Sequence, residues 1–143
     1  MTIDIANPQH LAVLDAATLR ALCAGILRQH GVQADLSLCY VDDAAIRTLN
    51  AQYLGRDEVT DVLAFPLDDD TDPDGVNVLG EIVVSVEKAL AEAAARDLPI
   101  EREIALYTAH GLLHLLGYDD HQPDDTARMR EAEREALARV GLL

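Results

Sequence analysis

The chain has 143 residues, half of them apolar, and a formal charge of −15. That length suits one domain, 1–143, with an ordinary core, and the composition excludes an intrinsically disordered chain. Lys88 is the only lysine among eleven basic residues, so loose, charge-driven binding to polyanions is disfavoured.

Thr2–Ala6 alternates as a short strand does, and Pro8 opens a turn. From His10 to His30 the residues Leu11, Leu14, Leu19, Leu22, Ile26 and Leu27 recur at helical spacing, and Gly31 stops that helix. Ala34–Val41 alternates Leu36, Leu38 and Tyr40 on one side, which predicts a strand. Asp42 or Asp43 caps a helix through about Tyr53. Val62–Pro66 and Ile82–Ser85 read as strands joined by an acidic loop, and Ser85 caps an alanine-rich helix to Asp97. Pro99 starts a long apolar helix that ends at Gly117. Pro123 starts a last helix with Met129, Ala132, Ala136 and Val140 as its inner stripe. Its glutamates Glu131, Glu133 and Glu135 alternate with arginines and leave no basic stripe. The order β-α-β-α-β-β-α-α-α predicts an α+β fold: a small, mixed four-stranded sheet covered by helices.

Cys23 and Cys39 lie in apolar segments and are expected to be free, buried thiols. The first residues lack a basic stretch followed by an apolar one, and no apolar run approaches the roughly 18 residues of a membrane span. The expected setting is the cytoplasm, with no membrane contact. Residues 70–81 match a calcium-loop pattern, D-x-D-x-D-G-x5-E. That motif needs helices on both sides. Here it is flanked by extended, β-branched stretches, so an acidic hairpin loop is the expectation.

The chemistry concentrates in Thr108–His121, TAHGLLHLLGYDDH. His110 and His114 are four apart on a helix, so both rings leave one face, as two imidazole ligands of one metal must. Gly117 can end the helix in a left-handed conformation and swing the chain back. Asp120 or His121 would then supply a third ligand and leave one position open, the arrangement of catalytic zinc. Packed core histidines are the plain alternative, but each would need a buried polar partner. Position 111 is glycine, so the glutamate base of an H-E-x-x-H zinc peptidase is missing.

The segment HGLLHLLGYDDH resembles the H-G-x-L-H-L-x-G-Y-D-H signature of the YbeY family of rRNA maturation factors. Leu49-Asn50 before Tyr53, TDVLAFP at Thr60–Pro66 and LGEIVVS at Leu79–Ser85 resemble other motifs of that family, in the same order. Two departures stand out. An extra acidic residue puts Asp120 where the family has its third histidine and displaces His121 by one step. A local bulge would let His121 reach the metal, which is the favoured reading, with Asp120 as the alternative ligand. The family's arginine after the tyrosine falls on Leu54, and Arg56 is the candidate to do its catalytic work, against an ordinary loop arginine.

The histidine motif implies one zinc per chain, and the resemblance implies a metal-dependent, single-strand-specific endoribonuclease. It implies a role in maturing the 3′ end of small-subunit rRNA and in ribosome quality control. It also implies work beside a small-subunit ribosomal protein and an assembly GTPase, with Thr60 and Asp61 near the site. The acidity argues that the ribosomal particle presents the RNA. Two rivals stand beside this reading: a non-catalytic, zinc-stabilised assembly factor and a metal hydrolase of a non-RNA substrate. A closed fourth protein ligand would favour the assembly factor.

Overall fold

The structure is a computed structural model and describes residues 1–67 and 78–143. The elements run β1 (Ile3–Ala6), α1 (Ala16–Gln29), β2 (Asp35–Val41), α2 (Asp43–Leu54), β3 (Val62–Pro66), β4 (Val78–Ser85), α3 (Val86–Arg96), α4 (Ile100–Leu115) and α5 (Pro123–Arg139). The four strands form one sheet in the order β1-β2-β4-β3. β1, β2 and β4 are parallel, and edge strand β3 returns antiparallel to β4. This is the mixed, helix-covered sheet that the alternation of elements predicts.

Alternation in the strands sorts the core into two layers. Leu36, Leu38 and Tyr40 of β2 and Ile82 and Val84 of β4 face the larger cluster, with Leu22 and Ile26 of α1 and Leu112 and Leu113 of α4. Val41, Leu63 and Val83 face the smaller one, which Ile46 of α2 completes. α4 is the central helix, packed against α1, α3, α5, β3 and β4. Its Thr108 hydroxyl donates to the Ile104 carbonyl at 2.8 Å. That leaves the Tyr40 hydroxyl, 2.8 Å away, as donor to Thr108 Oγ1. Gly111 faces the sheet: a Cβ there would sit 2.8 Å from Ile82 Cγ2 and 3.0 Å from Val62 Cγ2. Close approach of helix and sheet explains the glycine that removes the peptidase base.

Several boundaries differ from the sequence reading. α1 starts at Ala16, not His10. Buried Gln9 instead folds residues 9–12 into a turn, its Oε1 accepting from the Leu11 and Ala12 amides and its Nε2 donating to the Ala12 carbonyl. Asp15 then caps the helix by accepting from the Thr18 amide. Periodicity alone does not separate a turn carrying Leu11 from one more helical turn. β4 begins at Val78 rather than Ile82, and Pro99 is the N-cap of α4. Cys23 is buried, whereas Cys39 is only half-buried; both are free thiols. Most of the calcium-loop pattern lies outside the described residues. Among the described residues no helix is long and apolar enough to cross a membrane.

Candidate metal centre

His110 and His114 project from the last turns of α4, as their spacing requires, with ring centroids 4.7 Å apart and planes at 84°. The helix ends at Leu115, and Gly117 takes φ 99°. Its amide donates to His114 O, and the Tyr118 amide donates to Leu113 O, both at 3.0 Å, which reverses the chain over the helix end.

Two anchors hold the returning segment. The Tyr118 hydroxyl lies 2.9 Å from His30 Nε2, while His30 Nδ1 lies 2.8 Å from the Ile26 carbonyl. A carbonyl only accepts, so Nδ1 carries the proton of the neutral ring and Tyr118 donates to Nε2. Next, Asp119 Oδ1 accepts from the amides of Asp120 at 2.7 Å and His121 at 3.2 Å, folding a tight side-chain turn.

This turn points the Asp120 carboxylate at the histidines. Asp120 Oδ2 is 3.9 Å from His110 Nε2 and 4.0 Å from His114 Nε2. One ligand atom from each of the three residues lies within 4.8 Å of the others. Tetrahedral zinc with bonds near 2.0 Å would set its ligands roughly 3.3 Å apart. The three donors are slightly open relative to that spacing, and small side-chain rotations would close it. Two imidazoles and one carboxylate are also a donor set that suits zinc. His121 is not brought to this point: its side chain is 81% exposed, and its Nε2 faces Asp119 Oδ1 at 3.3 Å.

The centre opens onto a cleft of about 550 Å³ walled by α3, α4 and α5 and by Asp61 ahead of β3. Asp61 reaches this cleft, as the resemblance implies for the head of that strand, and its Oδ1 accepts from the Val62 amide at 2.8 Å. Arg56 is exposed just after Gly55, the left-handed cap of α2, and is not among the residues lining the cleft. The cations that do line it are Lys88, Arg96 and Arg130. Each is paired with an acid: Lys88 and Arg96 with Glu92, both at 3.6 Å, and Arg130 with Glu133 at 3.3 Å.

Sequence reasoning missed Glu133, which is 2% exposed and places Oε1 at 3.6 Å from His110 Nδ1. Its carboxylate is the main reason that the His110 pKa lies above the ordinary histidine value. Burial opposes that shift, and the charges of Asp61 and Asp120 add to it. The missed signal was positional. Glu133 is four residues after Met129 and three before Ala136, so it belongs to the buried stripe of α5 rather than to the solvated face. Glu103 of α4 is likewise 2% exposed, 4.0 Å from Arg96.

Comparison with known proteins agrees with this architecture. The family described as Endoribonuclease YbeY matches residues 4–141. A relative from Carboxydothermus hydrogenoformans called Endoribonuclease YbeY is 38% identical over 97% of each chain. One of the same name from Roseiflexus castenholzii is 41% identical over 94% of this chain and 89% of its own. The solution structure of TM1509 from Thermotoga maritima matches 97% of this chain and 89% of its own, at 26% identity and a TM-score of 0.69.

Proposed function

The chain belongs to the YbeY family, and from that premise we propose that it is a zinc-dependent endoribonuclease that cuts single-stranded rRNA. The observation that carries the metal part is the convergence of His110 Nε2, His114 Nε2 and Asp120 Oδ2 at one point beside a polar cleft. In this reading those three residues hold one zinc per chain. His121, first choice from the motif, becomes the alternative to Asp120. Zinc so held would polarise a phosphoryl oxygen or activate water at its open position.

The chain's own residues account for the rest. The helix end and the turn after Gly117 fix the donors. Of these only His110 is partly buried, and it and Asp120 line the cleft; an unpaired strand can bend a phosphate into that cleft, where a rigid A-form duplex presents a fixed backbone. Arg56 is the proposed counter-charge for the scissile phosphate. It is exposed and stands outside the cleft lining, so the role requires the substrate to bridge cleft and loop. The cleft cations are partly neutralised by Glu92 and Glu133, and the whole chain carries −15. Free RNA is therefore held weakly, and a pre-ribosomal particle in the cytoplasm presents the substrate. The 3′ end of small-subunit rRNA is the proposed target, with ribosome quality control as the wider role. A small-subunit ribosomal protein and an assembly GTPase are the proposed neighbours.

The test compares wild type and His110→Ala on single-stranded RNA and on precursor particles. Wild type should cut both substrates, and the particle faster; chelation and His110→Ala should abolish cutting, while duplex RNA is spared. Equal rates for wild type and His110→Ala would expose a contaminating nuclease. Failure on both substrates would favour the non-catalytic assembly factor. Zinc-dependent hydrolysis of a small ester with RNA untouched would favour the hydrolase.

A further inference from the structure

We propose that Glu133 is a positioning residue for the metal. Its buried carboxylate accepts the Nδ1 proton of His110 and thereby selects, in the neutral ring, the tautomer whose Nε2 lone pair is aimed at the point shared with His114 and Asp120. The inference rests on the zinc reading above and extends it to a residue outside the ligand set.

A carboxylate on the buried stripe of α5, among Met129, Ala136 and Leu137, is costly. An apolar side chain of similar size would pack there without losing hydration. Such a group needs a partner, and its two oxygens are unequal. Oε1 lies 3.6 Å from His110 Nδ1 and 3.3 Å from Arg130 Nη1. Oε2 is buried and has no hydrogen-bond partner. A small rotation of either side chain would bring Nδ1 within hydrogen-bond reach of the carboxylate. Arg130 is largely exposed on the same helix and does not itself require a buried glutamate.

The two ring nitrogens of His110 have different surroundings. Nδ1 faces Glu133 of α5, whereas Nε2 faces Asp120 and the open cleft. A proton held on Nδ1 leaves the Nε2 lone pair free, which a neutral imidazole ligand requires. A carboxylate behind a ligating histidine fixes both tautomer and ring orientation. Glu103, the other deeply buried carboxylate of the cleft wall, pairs with Arg96. A buried glutamate in this fold can thus be held by an arginine alone, and the approach of Glu133 to His110 comes in addition to its pairing with Arg130.

Zinc affinity is measured by competition with a chromophoric chelator for wild type, Glu133→Gln and Glu133→Met. The tautomer of His110 is read by nitrogen NMR of the metal-free proteins at mildly alkaline pH. Glu133→Met has nearly the same shape without an acceptor. It should weaken zinc binding about 10- to 100-fold, the range typical of lost outer partners, and should release the Nδ1–H preference. Glu133→Gln keeps an oxygen that can accept from Nδ1. It should retain the tautomer and recover most of the affinity, an outcome that a purely packing role would not give. Zinc bound equally by wild type and Glu133→Met overturns this inference alone. A wild type that binds no zinc overturns the metal reading and this inference with it. If Glu133→Met does not fold, the wild-type spectrum decides: a proton on Nε2 of metal-free His110 overturns the proposal.

Discussion

The two halves of the candidate centre are built differently. His110 and His114 stand on α4, whose Thr108, Ala109, Gly111, Leu112 and Leu113 are buried. Five elements pack against that helix, so the backbone that carries the two histidines cannot shift without moving the core. Asp119, Asp120 and His121 are exposed and lie outside any helix or strand. They are held by one side-chain turn, by the Tyr118–His30 contact and by Thr126, whose hydroxyl donates to Asp120 O at 3.1 Å. A rigid pair of donors fixes where a metal would sit, and the adaptable segment can bring up the third. An extra residue is therefore tolerable after Tyr118 and would be ruinous between the histidines, where it would rotate one ring off the shared face.

The largest effect expected from this contrast is on the rigid side. His114→Ala should keep the fold, because that side chain is 36% exposed, and should lose the metal, because ligand removal from a three-donor site leaves too few bonds. Elemental analysis after gel filtration measures this. Stoichiometric zinc in that variant would break the assignment of α4 as the metal-holding element.

Packing under the histidines comes next. Gly111→Ala would drive a Cβ into Ile82 and Val62 of the sheet. Overpacking of this kind costs about 1–3 kcal/mol, and the gain in helix propensity offsets up to about 1 kcal/mol of it. A net loss of roughly 1–2 kcal/mol in urea unfolding is expected, and zinc affinity should fall as α4 lifts off β4. Unchanged stability would mean that α4 is less constrained than its burial indicates.

The same division governs what the sequence could tell. The sheet, the helices and the placing of His110 and His114 on one face of α4 are legible because period-2 and period-3.6 patterns and a four-residue histidine spacing are local features. Glu133 is not, since alternating charge on α5 looks alike whether one glutamate is solvated or turned onto a histidine of another helix. The start of α1 is not legible because the Gln9 turn depends on side-chain bonds that apolar spacing does not encode. The choice between Asp120 and His121 is not legible in the sequence, because loop side-chain direction depends on the Asp119 turn. Gly111 reads in the sequence only as a missing base, and its packing reason depends on Ile82 and Val62 of the sheet.

Titration extends the comparison into the core beside α4. Burial pushes the Cys23 thiol from its ordinary value of 9.0 up to about 12. Below pH 9 folded and unfolded chains both keep this proton, and the contribution to stability is whole. Between about 9 and 12 the unfolded chain releases it and the folded one does not, so stability falls as pH rises. Burial also raises Tyr40, against its bond to Thr108, and raises Tyr107, where the Glu103 charge adds to the effect. Both act in the same direction above pH ~10. Urea midpoints of the zinc-free protein should therefore drop between pH ~9 and ~11, and Cys23→Ala should flatten the first part of that fall. A flat profile would mean that water reaches the core around Cys23.

The smallest effect on stability is expected in the adaptable segment, where zinc affinity is the sharpest discriminator. Asp120 Oδ2 is about equally far from both histidine nitrogens, whereas the exposed His121 ring rests against Asp119. Asp120→Ala should thus weaken zinc by more than the ~10- to 100-fold expected of an outer partner, and His121→Ala by less than about 10-fold on the same scale. Both side chains are exposed, so neither variant should change the urea midpoint of the metal-free protein, and chelator competition reads ligation alone. Imidazole is nevertheless the better third partner for zinc beside two histidines in donor softness. The turn at Asp119 is also held by few bonds. Zinc loss in His121→Ala with retention in Asp120→Ala would show that the segment bulges on metal binding and exchanges Asp120 for His121. The contrast between a fixed helix and an adaptable return would then be stronger than the metal-free geometry indicates.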